Sequence, residues 1–172
     1  MTTRLEAASG GTVQGSGGAS IKAPANAFVG RDGQAVGAVK VRVTRVDPST
    51  AGVRRGVSGD FTAVSGSSTT MLESAGMMDI DVRSNGQRAT LATGKQLEVR
   101  LPVAEGEPSP PATMGLWSFD DGTGRWVSEG TATLDAASRT YVATIGHMSM
   151  WNVDKPSLAT CVVGRVLVVL RR

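Results

Sequence analysis

One cysteine and one histidine among 172 residues leave this chain little material for metal or redox chemistry. A lone cysteine excludes an internal disulfide framework, and the pair falls short of the ligand set of a zinc site. Aromatic side chains are scarce at 4%. An excess of one charge is missing too. Lys+Arg 18 against Asp+Glu 15 gives +3, and setting aside Arg165, Arg171 and Arg172 leaves 15 basic against 15 acidic residues from Met1 to Thr160. A nucleic-acid partner asks for a basic stripe within a folded domain. The body is neutral, so no nucleic acid is expected. Long apolar runs are also absent. The stretch from Val162 to Leu170 is interrupted by Arg165 and is too short for a membrane span. The opening Met1-Thr-Thr-Arg-Leu-Glu6 lacks the apolar core of a cleavable export signal.

What the chain has instead is Gly 22, Pro 7 and an abundance of Val, Thr and Ser. β-Branched residues between frequent glycines favour short strands and tight turns. Val39-Lys-Val41-Arg-Val43 alternates strictly, as a half-buried antiparallel strand requires, and Asp47-Pro48-Ser49 stops it. Met78-Asp-Ile80-Asp-Val82 alternates again before the hairpin turn Ser84-Asn85-Gly86, as does Gln96 to Leu101 before Pro102. Leu116 to Phe119 and Arg125 to Val127 flank a glycine-rich turn, Asp120 to Gly124. Thr131 to Leu134 and Thr140 to Ile145 pair across Asp135 to Ser138, and His147 to Val153 is the last strand of the body. Thr50 to Thr70 reads as a long loop containing Arg54-Arg55, with at most one strand around Phe61. No window keeps a 3.6-residue period. The expected fold is therefore all-β, an antiparallel β-sandwich of Ig-like general build with little or no helix. Residues 1–156 form the domain. Residues 157–172 hold a terminal apolar β-strand, either an added strand or the truncated start of a following domain. Its Val162, Val163, Val166, Val168 and Leu170 are candidate interaction residues, because an unpaired apolar strand seeks a partner edge.

Several stretches recur in an order that resembles a known family. They are Gly10-Gly-Thr, Ala23-Pro-Ala-Asn-Ala-Phe28, Gly59-Asp-Phe61, Leu72-Glu-Ser-Ala-Gly-Met77-Met-Asp, Leu116-Trp-Ser-Phe-Asp-Asp121 and His147-Met-Ser-Met-Trp151-Asn-Val-Asp154. Together they resemble a bacterial extracytoplasmic β-sandwich module that sits before carboxypeptidase-regulatory-like domains. Animal cartilage intermediate layer proteins carry a related arrangement. The resemblance covers roughly Ala7 to Pro156, and Cys161-Val-Val-Gly-Arg-Val166 resembles the first strand of the regulatory-like domain that follows. It implies an exported or cell-surface protein in which the module spaces or docks neighbouring domains or copies of itself, with no cofactor.

His147-Met148-Ser149 also resembles the His-x-Ser/Thr tripeptide of self-cleaving β-sandwiches, such as the module shared by ankyrins and netrin receptors and the GAIN domain of adhesion receptors. There the hydroxyl of Ser149 would attack the carbonyl of Met148, with His147 as base. The plainer reading is that imidazole and hydroxyl satisfy each other or the backbone. A Ser/His/Asp hydrolase built on His147, Ser149 and Asp154 lacks a Gly-x-Ser-x-Gly elbow. Asp120 and Asp121 are calcium candidates, although turn aspartates ordinarily bond their own backbone and no run supplies the 6–8 oxygens calcium takes. Asp79 and Asp81 read as a solvated face. Trp117, Trp126 and Trp151 would stack carbohydrate if exposed and fill the core if not; the core is the expected place. Met71, Met77, Met78, Met148 and Met150 read as core filler. The glycines at 10–18 precede no helix and form no phosphate loop. The favoured role is a non-catalytic structural or adhesive module, with self-cleavage between Met148 and Ser149 and carbohydrate binding as the alternatives.

Overall fold

The structure, a computed structural model, describes residues 1–47 and 61–157. Arg54-Arg55, Cys161 and the interaction residues between Val162 and Leu170 lie outside these. The described chain forms β1 (Thr3–Glu6), β2 (Gly11–Gln14), β3 (Ser20–Ala23), β4 (Phe28–Val29), β5 (Ala38–Val46), β6 (Thr62–Ser65) and β7 (Ser68–Ser84). It continues through β8 (Gln87–Arg88), β9 (Thr90–Leu91), β10 (Leu97–Pro102), β11 (Thr113–Asp120), β12 (Arg125–Asp135), β13 (Thr140–Ile145) and β14 (Met150–Ser157). Among the described residues helix is confined to a 3-10 turn at Ser16–Gly18. The all-β sandwich expected from alternation is what forms.

Ten of its strands follow one path, β1-β5-β7-β14-β11-β12-β13-β10-β3-β2, which folds over on itself; β6 and β8 pair off this path, and β4 pairs with β9 beside it. The alternation explains the core. Val39, Val41 and Val43 of β5 are 1%, 0% and 2% exposed, while Lys40 and Arg42 between them point outward. Across the sandwich they share an interior with Ile21, Leu97, Val99, Leu101 and Ile145. The glycine-rich start also has a place. Gly15 sits so close to β5 that a Cβ there would lie 2.4 Å from the carbonyl oxygen of Val43. That contact seats the Ser16–Gly18 turn on β5, where the Arg45 backbone N–H donates to Ser16 Oγ at 2.9 Å.

The sequence concealed a second, closed unit. Within Thr50 to Thr70, where a long loop with at most one strand around Phe61 is expected, Thr62–Ser65 is that strand and β7 begins already at Ser68, the two turning at Gly66-Ser67. β6 pairs antiparallel with β7 and parallel with β12. Because β7 also pairs with β14, β14 with β11 and β11 with β12, five strands close a ring. Trp151 pairs directly with Met78. Followed the other way round, through Ser118, Val127 and Val64, the register returns to β7 at Thr69, nine residues away. Such a stagger is what closing a sheet on itself demands. The ring encloses Ala63, Leu72, Met77, Trp117, Phe119 and Trp126, with Phe61 at its margin. Adjacent Met77 and Met78 are both buried, one in the ring and one in the sandwich, so β7 is dry on both faces here.

Candidate functional site

The tripeptide singled out by sequence lies just before β14. Residues 147–149 form a bend, and the strand begins at Met150 rather than at His147. The same-face spacing expected of a strand therefore does not apply to His147 and Ser149. Ser149 Oγ donates to the backbone carbonyl of Phe119 at 2.7 Å. His147 packs its ring against Trp151, centroids 4.8 Å apart, and brings Nε2 to 3.4 Å from Glu129 Oε1. The same Glu129 oxygen accepts a hydrogen bond from Ser118 Oγ at 3.0 Å.

Glu129 reaches this position through a backbone irregularity. Leu116 pairs with Gly130 and Trp117 with Ser128, so Glu129 is the extra residue of a β-bulge. Bulges re-aim side chains, and this one turns a carboxylate toward both Ser118 and His147. The group borders a hollow of about 500 Å³ that also takes in Asp120, Asp121 and Met148. Chemically, Glu129 orients an imidazole, but both nearby hydroxyls are engaged elsewhere, Ser118 on Glu129 and Ser149 on a carbonyl. The arrangement ties β11, β12 and the entry to β14 together.

Asp154, the third residue considered for hydrolysis, is not brought to His147 or Ser149. It is fully buried at a second bulge, where Val153 pairs with Gly76 and Asp154 with Ser74. Its Oδ2 accepts from Asn152 Nδ2 at 3.1 Å, and Ser74 Oγ donates to Asn152 Oδ1 at 2.7 Å. The backbone N–H groups of Lys155 and Glu73 also donate to its carboxyl. Burial outweighs these donors and pushes the acid up to about 7. Oδ1 is left without a partner.

Asp120 caps its own turn, accepting from the Gly122 N–H at 2.8 Å and from Thr123 Oγ at 2.8 Å, which hold its carboxyl below the usual range. Among the described residues no group of three or more His, Cys, Asp or Glu side chains is arranged to hold a metal ion. Asp81 is paired with Arg83 at 3.0 Å and more loosely with Arg42 at 3.8 Å; Asp79 beside it is held up by burial. The three tryptophans are 4% exposed or less, so the glycan-stacking platform is not presented. Trp126 pairs with Phe119 rather than with Trp117, edge-on at 5.3 Å. Met77 and Met78 are core, and Met148 and Met150 pack against it. Glu129 and Ser118 had no sequence signal beyond Gly130, whose presence in a strand hints at a bulge.

The chain is similar to human cartilage intermediate layer protein 1, with 26% identity over 157 residues, 84% of this chain. It spans 13% of the length of that protein. No family model matches it, and no solved structure does. No helix among the described residues is long and apolar enough to cross a membrane.

Proposed function

We propose that this chain is a non-catalytic structural module of an extracytoplasmic bacterial protein, and that copies of it join through the strand from Val162 to Leu170. The observation that carries this reading is a contrast in apolar surface. Among the described residues Met1 is the one exposed large hydrophobic, because the sandwich and the ring absorb the rest. Val162, Val163, Val166, Val168 and Leu170 are a further apolar set, and strand addition is a general route by which such a segment is covered. Likeness to a protein named for a layer of cartilage supports a place in an extracellular assembly. Deleting residues from 160 onward should convert the oligomer to monomer in light scattering; an unchanged mass overturns the joining role.

In this reading the Met148–Ser149 bond stays intact. The Ser149 hydroxyl already donates to the Phe119 carbonyl, and His147 is held by Glu129. Intact mass of the purified protein should show one species. Two fragments meeting between Met148 and Ser149, and lost in Ser149→Ala, would establish self-cleavage instead.

A further inference from the structure

The outward face of β1, β5, β7 and β8 carries a charge arrangement that folding does not require. Arg4 lies directly opposite Lys40, Lys40 opposite Arg83, and Arg83 opposite Arg88, so four cations stand in one row across four strands. All four are exposed, because Leu5, Val39, Val82 and Ala89 beside them take the buried face. With strands about 4.8 Å apart, the row is roughly 14 Å long. Like charges directly opposite one another oppose sheet pairing, and any polar side chain would suit an outward strand position equally well. The nearby carboxylates flank the row and do not interrupt it. Glu6 takes the Arg4 guanidinium at 2.9 Å, and Asp81 takes Arg83 at 3.0 Å and Arg42 at 3.8 Å. Asp79 lies further along, opposite Thr44. Among the described residues Lys40, between Arg4 and Arg83, has no ion-pair partner. Beside the row a hollow of about 550 Å³ is walled by Arg4, Lys40, Arg83 and the Ser84-Asn85-Gly86 turn.

We propose that this row is the docking face for a linear acidic polysaccharide, whose carboxylates or sulfates lie along it. The surface is separate from the joining strand, and its use does not depend on that role. A single line of cations matches one extended chain with a regularly repeated charge. Binding sets an anion against each of three like-charge contacts, the complementarity that speeds and orients docking. Other polyanions fit the face less well. Among the described residues that form the row and the hollow none is aromatic, so the bases of a nucleic-acid strand find no platform to stack on. None is a large exposed apolar side chain, so the face lacks the anchor that holds a protein in a lipid interface.

Lys40→Glu separates binding from folding. It replaces two repulsions, with Arg4 and Arg83, by two attractions, so its melting temperature should match or exceed that of the wild type. Heparin and polygalacturonate are the probes, titrated calorimetrically into full-length protein. The wild type should bind, with affinity falling on the order of 50-fold between about 50 and 200 mM salt, as counterion release from about four contacts demands. Lys40→Glu should bind roughly tenfold or more weakly, and Arg88→Gln should weaken binding at unchanged stability. Arg125→Glu, the same charge change on the exposed start of β12, should bind as the wild type does. Arg165, Arg171 and Arg172 are present in every variant, so the differences report on the row. Failure to bind either probe at the lower salt overturns the proposal, and so does equal weakening in Lys40→Glu and Arg125→Glu. Binding lost only together with stability, in Lys40→Glu and Arg88→Gln alike, also overturns it. Tighter binding to single-stranded DNA or to phosphatidylglycerol vesicles than to both polysaccharides overturns the choice of partner.

Discussion

Asp154 illustrates how a single buried carboxyl couples two strands to pH. Three donors favour its charged form and burial opposes it, with burial prevailing, so the folded value of about 7 stands above the ordinary 3.8. Between those values the folded state holds a proton that the unfolded chain releases. Stability is therefore greatest below about pH 4, falls as pH rises toward 7 and levels off above it. Denaturant titrations at pH 5 and pH 8 should differ by roughly 1–3 kcal/mol in favour of pH 5, after discounting for relaxation of the site. Asp154→Asn should flatten the difference. Asp79, also raised by burial, adds a smaller change of the same sign. Asp120 and Asp135, whose carboxyls are lowered, act in the opposite direction and only near or below pH 4. Gly115 is a second sensitive residue. A Cβ there would lie 2.6 Å from Trp117 Nε1 and 3.1 Å from the Asp154 carbonyl oxygen. Gly115→Ala should cost ~1–3 kcal/mol in thermal or chemical unfolding, the usual range for overpacking a filled interior.

Among the elements, those with strong internal alternation are legible in the sequence alone. β5, the Met78 to Val82 stretch of β7 and β10 each bury alternate residues more deeply than those between, and the Asn85-Gly86 turn forms the two-residue hairpin its residues require, with φ of 49° and 80°. β6 is legible only as the single strand allowed around Phe61, and its pairing is not. Thr62-Ala-Val-Ser65 is short, its buried residue is the small Ala63, and its parallel partner β12 lies more than sixty residues away in sequence. β1 and β2 are hidden by brevity, at four residues each. The site was legible only in part. His147 and Ser149 stand out as residue types, but their partners, Glu129 and the Phe119 carbonyl, depend on a bulge and on a strand thirty residues off. The element that closes the ring can be tested at one position. Ala63 is fully buried beside Trp126, so Ala63→Asp places an unpaired charge in the ring. Unfolding should ease by ~3 kcal/mol or more, with the tryptophan emission moving to longer wavelength.

At the scale of the whole molecule, β7 and β12 serve two enclosures at once. Each lends one half to the ring and the other to the sandwich, and bulges at Ala75 and Glu129 mark where facing changes. Both bulged positions border hollows, one at Ser74 and Ala75 and the other at Glu129 beside His147. Among the described residues these two bulges lie on the strands that the two interiors share. If glycans stacked on its tryptophans, tryptophan emission would respond to them; with every indole enclosed, candidate glycans should leave that emission unchanged.

The position of β14 has a consequence for how the chain is made. It is the last described strand in sequence, yet it lies between β7 and β11 in the sheet. Without residues 150–157 β7 and β11 share no pairing, and the ring of five strands is open. Residues 150–157 must then thread into the interior rather than add at a rim. Closure by contacts so distant in sequence is slow, so completion of the sheet waits on β14 and on its pairing with a strand more than seventy residues earlier.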